Sequence, residues 1–345
     1  MKWTHLRPVE ASMKRAGRFI WFGALALAAA LLFGGCAAKQ ASTELFAMDT
    51  VMQLTAYGKD AERALGVAGG ELARLDAELS AQRTSSEIAK LNASGACENA
   101  ETLEVLTRAL EIAWRTDGAY DPTVYPLMQL WGFGTDAAHV PQESEIQSAL
   151  KKTGYEKLPA VQSPYTLPSG MAVDLGGIGK GFAAAAVRAC LEENGVRAAV
   201  VSLGGNVMLL GSKLDGSAWT IGLQDPDTDG CFGYVSARDV SVVTSGGYQR
   251  YFEEDGEVYW HILDPKTGWP ARSGLSSVTV VSRDDVLADG LSTALFVMGL
   301  EKAAALYRVS DDFEAVLLTQ DGQIFVTEGL KDDFRSDKDF EVIAR

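Results

Sequence analysis

Cysteine, histidine and cationic charge are all scarce in this chain of 345 residues. Its four cysteines, at positions 36, 97, 190 and 231, have irregular spacing and suggest neither a disulfide framework nor a zinc site. Cys97, Cys190 and Cys231 read as small semi-buried hydrophobes. Cations number 31 against 46 acids, and five of them (Lys2, Arg7, Lys14, Arg15, Arg18) precede residue 36 with only Glu10 to oppose them. That leading segment carries +4, so the chain's −15 leaves −19 for the remainder. So acidic a body will not bind nucleic acid through general electrostatics. No repeat of 20–50 residues and no low-complexity linker is present. Apolar residues at 47% and charged residues at 22% are ordinary globular values.

The leading basic segment runs into a charge-free apolar stretch from Phe19 to Phe33, closed by Gly34-Gly35-Cys36. Its length of about 15 residues falls short of the ~20 that a spanning helix needs. A basic region, an apolar region and a small-residue cleavage site make a signal peptide over 1–35, with an uncleaved N-terminal anchor as the alternative. Cysteine after two small residues resembles the bacterial lipobox, although Phe33 stands where leucine is preferred. Cys36 would then be lipidated and hold the body at the extracytoplasmic face of the cell membrane, with 36–43 as tether and 44–345 as the functional domain.

Apolar residues Leu65, Ala68, Leu72, Leu75 and Leu79 recur at helical spacing. Thr84 with Glu87 makes a capping-box pattern ahead of a second short helix, and "AETLEVLTRALEIAWRT" a third. From Met171 the texture changes to short β-branched runs broken by glycine, beginning with "MAVDL". Asp-Gly pairs at 255–256 and 321–322 signal hairpins. Helices are expected after residue 178 and near 286. The pattern predicts an α+β body built on antiparallel sheets flanked by helices, without βαβ alternation.

Four stretches carry candidate chemistry. "DLGGIGKGF", 174–182, puts glycines at an expected strand-to-helix turn, where backbone N–H groups and a helix N-terminus favour an anion. Gly181 stands where a P-loop needs Ser or Thr, and Phe182 where the dinucleotide fingerprint needs glycine. A simple tight turn is the plainer reading. In "LADGLSTALF", Asp289 and Thr293 lie four apart on one helix face and offer the hard oxygens that Mg2+ accepts, which a glycine-turn carbonyl could join. The alternative makes Asp289 a partner of the helix dipole. "YWHILDPKTGWPA" places His261 at a strand end, able to move a proton or donate to phosphate, or simply structural. "GAYDPTVYPLMQLWGFG" offers apolar faces and backbone donors to a ring system, unless Trp131 and Phe133 merely pack in the core.

Together and in order, these stretches with "AMDTVM", "LSAQRTSSEIAKLN", "VSLGGN" and "SGGYQRYFEEDGEVYWHILDPKTGWP" resemble the bacterial FAD:protein FMN transferase family, the ApbE-like proteins, from about Phe46 to Leu300. The resemblance implies an ApbE, T-fold-like arrangement with the nucleotide site in a central cleft. It also implies an Mg2+-dependent enzyme that moves the FMN half of FAD onto a threonine or serine hydroxyl of an exported or membrane-complex flavoprotein, releasing AMP. By motif position, Asp289, Thr293 and the Gly177 carbonyl would be metal ligands. Met48, Gln82, Asp121, Pro122, Thr123, Asp174, Lys180, His261 and Leu263 would contact the dinucleotide, with His261, Asp289 and Lys180 at the chemistry. Asp49 replaces a glycine common in the family, and Gln82 an aromatic. A pyrophosphatase that hydrolyses FAD to FMN and AMP, and a non-catalytic FAD-binding lipoprotein, are the rival readings.

Overall fold

The computed structural model describes residues 39–345; the basic segment, the apolar run and Cys36 lie outside them. Strands β1 (Gln40–Ala47) and β2 (Thr50–Tyr57) form a hairpin whose register starts at Gln40 opposite Tyr57. The folded body therefore includes 40–43, which the sequence assigned to a tether, because their backbones are already paired. Helix α1 (Ala61–Leu79) buries Leu65, Ala68, Leu72, Leu75 and Leu79, as its spacing predicts. Helix α2 (Glu87–Ser94) is capped by Ser86, whose Oγ accepts from Ala89 N–H at 2.9 Å. Thr84 is thus not the cap; the pair three apart that mattered was Ser86 and Ala89. Helix α3 (Ala100–Arg115) follows, capped by Asn99.

Short helices α4 (Tyr125–Trp131) and α5 (Glu143–Leu150) lead to α6 (Gly176–Glu193). Then come β5 (Ala198–Leu203), β6 (Asn206–Leu210), β7 (Trp219–Gln224), β8 (Cys231–Ala237) and β9 (Ser241–Gly246), in an order where β3 (Ala96–Cys97) and β4 (Tyr165–Thr166) are a short earlier pair. A two-residue turn at Asp255-Gly256 joins β10 (Tyr251–Glu254) to β11 (Glu257–Trp260), as expected. Strand β12 (Leu275–Ser282) feeds α7 (Asp285–Arg308), and β13 (Glu314–Thr319), β14 (Ile324–Thr327), β15 (Phe334–Arg335) and β16 (Phe340–Ile343) complete the chain.

Nine strands make one sheet, in the order β1-β2-β5-β6-β9-β12-β13-β14-β16, antiparallel throughout except for β14 with β16. Its two faces are covered differently, and period two in the strands is the reason. Ala315 and Leu317 of β13 join Val278 and Val280 against the helices, while Val316 and Leu318 join Val281 against Phe232 and Val235 of the β15-β8-β7 sheet. This is the α+β class that the sequence predicts.

"MAVDL" is not a strand. Its backbone is extended but held by a side chain: Asn92 Nδ2 donates to the Val173 carbonyl and Asn92 Oδ1 accepts from Val173 N–H, both at 2.8 Å. Asp174 N–H then donates to the Pro122 carbonyl at 2.7 Å, which ties the two glycine-containing stretches together.

Candidate functional site

Helix α6 starts at Gly176, so the glycines of 176–181 occupy its first turns instead of a tight turn before it. None of them has positive φ. Their role is close approach: a Cβ at Gly177 would stand 2.8 Å from Tyr120 Cε2, and one at Gly181 would stand 2.5 Å from the Asp285 carbonyl and 2.7 Å from Asp289 Cβ. The absent side chains let α6 lie against α7 and bring 177–181 to Asp289.

Gly181 N–H donates to Asp289 Oδ2 at 2.7 Å. In an α-helix that N–H would close on the Gly177 carbonyl, which here competes for it with a carboxylate. Asp289 is 3% exposed and pairs with no cation among the described residues. Asp285, one turn earlier and as buried, is served quite differently. Arg188 donates to its two oxygens at 2.9 and 2.8 Å, and Ser241 Oγ donates at 2.6 Å. Desolvating a carboxylate costs several kcal/mol, and a hydrogen bond to a charged group returns about 1.5–3 kcal/mol. Asp285 is compensated and Asp289 is not.

Beside Asp289 stand neutral oxygens. Ser245 Oγ lies 2.8 Å from Ser292 Oγ and 3.3 Å from Thr293 Oγ1. No three of His, Cys, Asp and Glu converge as a metal cluster among the described residues. A cation at this place would rely on one carboxylate with hydroxyl and carbonyl oxygens, the hard donor set that suits Mg2+. The Tyr120 hydroxyl is buried there without a partner, within electrostatic reach of Asp174 and Asp289. An under-compensated carboxylate and an orphaned hydroxyl fit a site built for a charged guest.

The other half of the constellation is cationic. His261 follows β11, and the Arg250 carbonyl accepts from its backbone N–H and from its Nδ1, both at 3.1 Å. A carbonyl only accepts, so Nδ1 carries the hydrogen and Nε2 the lone pair. Burial, then the Arg250 and Lys180 cations, pull His261 down to about 4 from the usual 6.5. Lys180 and Arg250 pair with no acid among the described residues, in an acidic chain. Two cations without an anion make a place for one. Because the folded value lies below the unfolded one, the stability that neutral His261 contributes is complete above pH 6.5 and is lost as pH falls through 4. Urea midpoints measured from pH 6.5 down to 4 should therefore fall further in the unaltered protein than in His261→Gln.

Met48 and Asp49 form the β1–β2 turn with φ of +48° and +58°. Met48 N–H donates to Asp76 Oδ1 at 2.7 Å, and Arg250 reaches the Asp49 carbonyl at 3.5 Å. Asp49 keeps the left-handed turn that glycine would make, and aspartate tolerates it. Asp49→Gly should change the unfolding free energy by less than about 0.5 kcal/mol, since relief of strain and loss of chain stiffness offset each other.

Not every residue in the motifs offers a side chain. Asp121 Oδ1 accepts from Thr123 N–H and Oγ1 at 2.8 and 2.6 Å, its Oδ2 accepts from Tyr155 N–H at 2.9 Å, and Thr123 Oγ1 accepts from Gly154 N–H at 2.7 Å. These side chains are spent on shaping the loop, and Pro122 between them is buried with its carbonyl accepting from Asp174 N–H. Leu263 packs with Trp131, Leu127 and Phe252, and Trp131 Nε1 donates to the Gly268 carbonyl at 2.9 Å, so this aromatic stretch serves the core. Burial raises Asp174 above the usual carboxylate range, against the Gly176 N–H that donates to it. Gln82 is exposed after α1. Two open depressions of about 600 and 370 Å3, beside Pro126 and Trp269, contain none of these residues. The structure also brings Tyr120, Ser245 and Arg250 beside the candidate residues Gly177, Thr293 and His261; each stands inside a motif, and only packing singles it out.

The ApbE family model matches residues 48–317. A protein of Treponema pallidum (strain Nichols) named FAD:protein FMN transferase is 36% identical over 279 residues, covering 74% of this chain and 77% of that relative. Among solved structures, the ApbE protein of Thermotoga maritima superposes with a TM-score of 0.81 at 33% identity, covering 86% of this chain and 100% of that one. The flavin transferase ApbE of Vibrio cholerae gives 0.77 at 28%, covering 86% and 99%. With the family model spanning most of its length, and the two solved structures matched along nearly all of theirs, this chain belongs to the ApbE family.

Proposed function

We propose that this chain is an FAD:protein FMN transferase whose acceptor is a Ser or Thr hydroxyl of an exported flavoprotein. Membership of the family supports the transfer. The single observation that carries the chemistry is Asp289, a buried carboxylate with one side-chain hydrogen bond and no cation paired with it among the described residues.

The diphosphate of FAD lies between two fields. Lys180 and Arg250 donate to its non-bridging oxygens, and the N-terminus of α6 adds its partial positive charge. Asp289, Thr293 and the Gly177 carbonyl would hold Mg2+, which supplies charge neutralisation at the diphosphate. The acceptor oxygen bonds to the FMN phosphorus as the bond from that phosphorus to the bridging oxygen breaks, and AMP departs with the bridging oxygen. The acceptor's proton passes to Nε2 of His261. A bound polyanion offsets the Arg250 and Lys180 fields, which brings the imidazole back towards a useful basicity.

Gln82 favours a second reading, hydrolysis, because this exposed residue puts no aromatic ring where the family commonly has one. Supplying FAD and Mg2+ with and without an acceptor, and measuring AMP beside in-gel flavin fluorescence, decides between them. Transfer gives AMP and labelled acceptor in equal amounts and little AMP alone; hydrolysis gives rapid AMP without acceptor. No AMP under either condition would leave a flavin-binding lipoprotein. Lipid anchoring at Cys36 on the extracytoplasmic face suits an exported acceptor, and radiolabelled palmitate incorporation that survives Cys36→Ser would count against it.

A further inference from the structure

Tyr120 belongs to the loop between α3 and α4, behind Gly118, whose φ of +71° turns the chain back after the helix. The side chain is 4% exposed, yet its hydroxyl has no hydrogen-bond partner. Its ring lies against Gly177, where a Cβ would meet Cε2 at 2.8 Å. The hydroxyl feels Asp174 and Asp289 most strongly among the neighbouring charges, and Asp121 after them. A phenylalanine would fill the same volume against the glycine. The hydroxyl is the feature that packing leaves unexplained.

We propose that the Tyr120 hydroxyl is a positioning group for the cation site of Asp289, Thr293 and Gly177, donating a hydrogen bond to a water that the bound ion retains. Mg2+ demands about six oxygens and gives up water reluctantly, so three protein ligands leave hydration to be ordered. A buried hydroxyl whose ring lies against Gly177 can order it, because an ordinary phenol is a hydrogen-bond donor at neutral pH. Groups that orient a metal's ligands commonly govern affinity by about 10- to 100-fold without touching the ion. The inference rests on the metal site proposed above, and it assigns a role to a residue that is not a ligand.

The test is Mg2+ binding by titration calorimetry on the full-length protein without FAD. Tyr120→Phe should weaken Mg2+ by about 10-fold or more. It should also leave the metal-free Tm unchanged or raised, since it deletes a buried hydroxyl that has no partner. A structural tyrosine would give the reverse: unchanged affinity and a lower Tm. Should the variant fail to fold, Cζ-labelled tyrosine in the unaltered chain gives another reading, because Mg2+ must shift a tyrosine signal. No shift in any tyrosine overturns the proposal. Asp289→Asn separates the two claims. If it abolishes Mg2+ binding while Tyr120→Phe binds as tightly as the unaltered protein, the Tyr120 role is overturned; if both bind normally, the metal site itself is misplaced.

Discussion

Asp289→Asn lowers FMN transfer by about 10^2- to 10^3-fold or more, the loss typical of removing one electrostatic stabiliser from a transferring group. The same change raises the metal-free unfolding free energy, by about 1–3 kcal/mol, because it replaces an uncompensated buried charge with a neutral isostere. The asparagine oxygen still accepts from Gly181 N–H, so the contact of α6 with α7 survives. Opposite signs for activity and stability distinguish a carboxylate kept for a guest from one kept for the fold. Steady-state AMP release and urea unfolding, measured on one preparation, report both. A variant that lost stability together with activity would make Asp289 a structural residue.

The neighbouring acid gives the opposite outcome. Arg188→Met leaves Asp285, 4% exposed, with Ser241 as its remaining side-chain partner, and costs about 3–5 kcal/mol of folding stability. Arg188 comes from α6 and also donates to the Leu209 carbonyl at 3.2 Å, so the pair ties α6 and α7 to β6. Adding Asp285→Asn to Arg188→Met should recover much of the loss, since the stranded charge disappears with it. Urea midpoints for the two single variants and the double variant close the cycle. Additive losses would mean that the pair is not coupled.

These two aspartates show what was legible in the sequence. Both lie on α7, four residues apart, and its helical spacing places them on one face with Thr293. Local pattern therefore reached the helix, its face and the candidate ligands. Which acid is satisfied depends on Arg188, 97 residues away, and no local pattern contains that pairing. The helices of 61–79 and 100–115 and both Asp-Gly hairpins were legible for the same reason, since period and turn chemistry are local. "MAVDL" misled because extended backbone and a strand share residue preferences, while its partner is the Asn92 side chain. Glycines 176–181 misled because glycine serves both sharp turns and close helix contacts, and only the position of Tyr120 and Asp289 tells which.

Asp121 and Thr123 make the same point within the site. Short polar residues beside proline look available to a ligand, yet their oxygens are taken by Thr123, Gly154 and Tyr155 backbone groups. Tyr120, one position earlier, is buried and keeps a hydroxyl without a partner. Alternation of this kind follows from a loop wedged between α3 and α6, where adjacent side chains point into different surroundings.

The most direct test of the account is anomalous diffraction from crystals of the protein soaked with Mn2+ in place of Mg2+. The account predicts one strong peak bridged by Asp289, Thr293 and the Gly177 carbonyl, and its loss in Asp289→Asn crystals. A peak elsewhere, or none at this carboxylate under saturating metal, would contradict it.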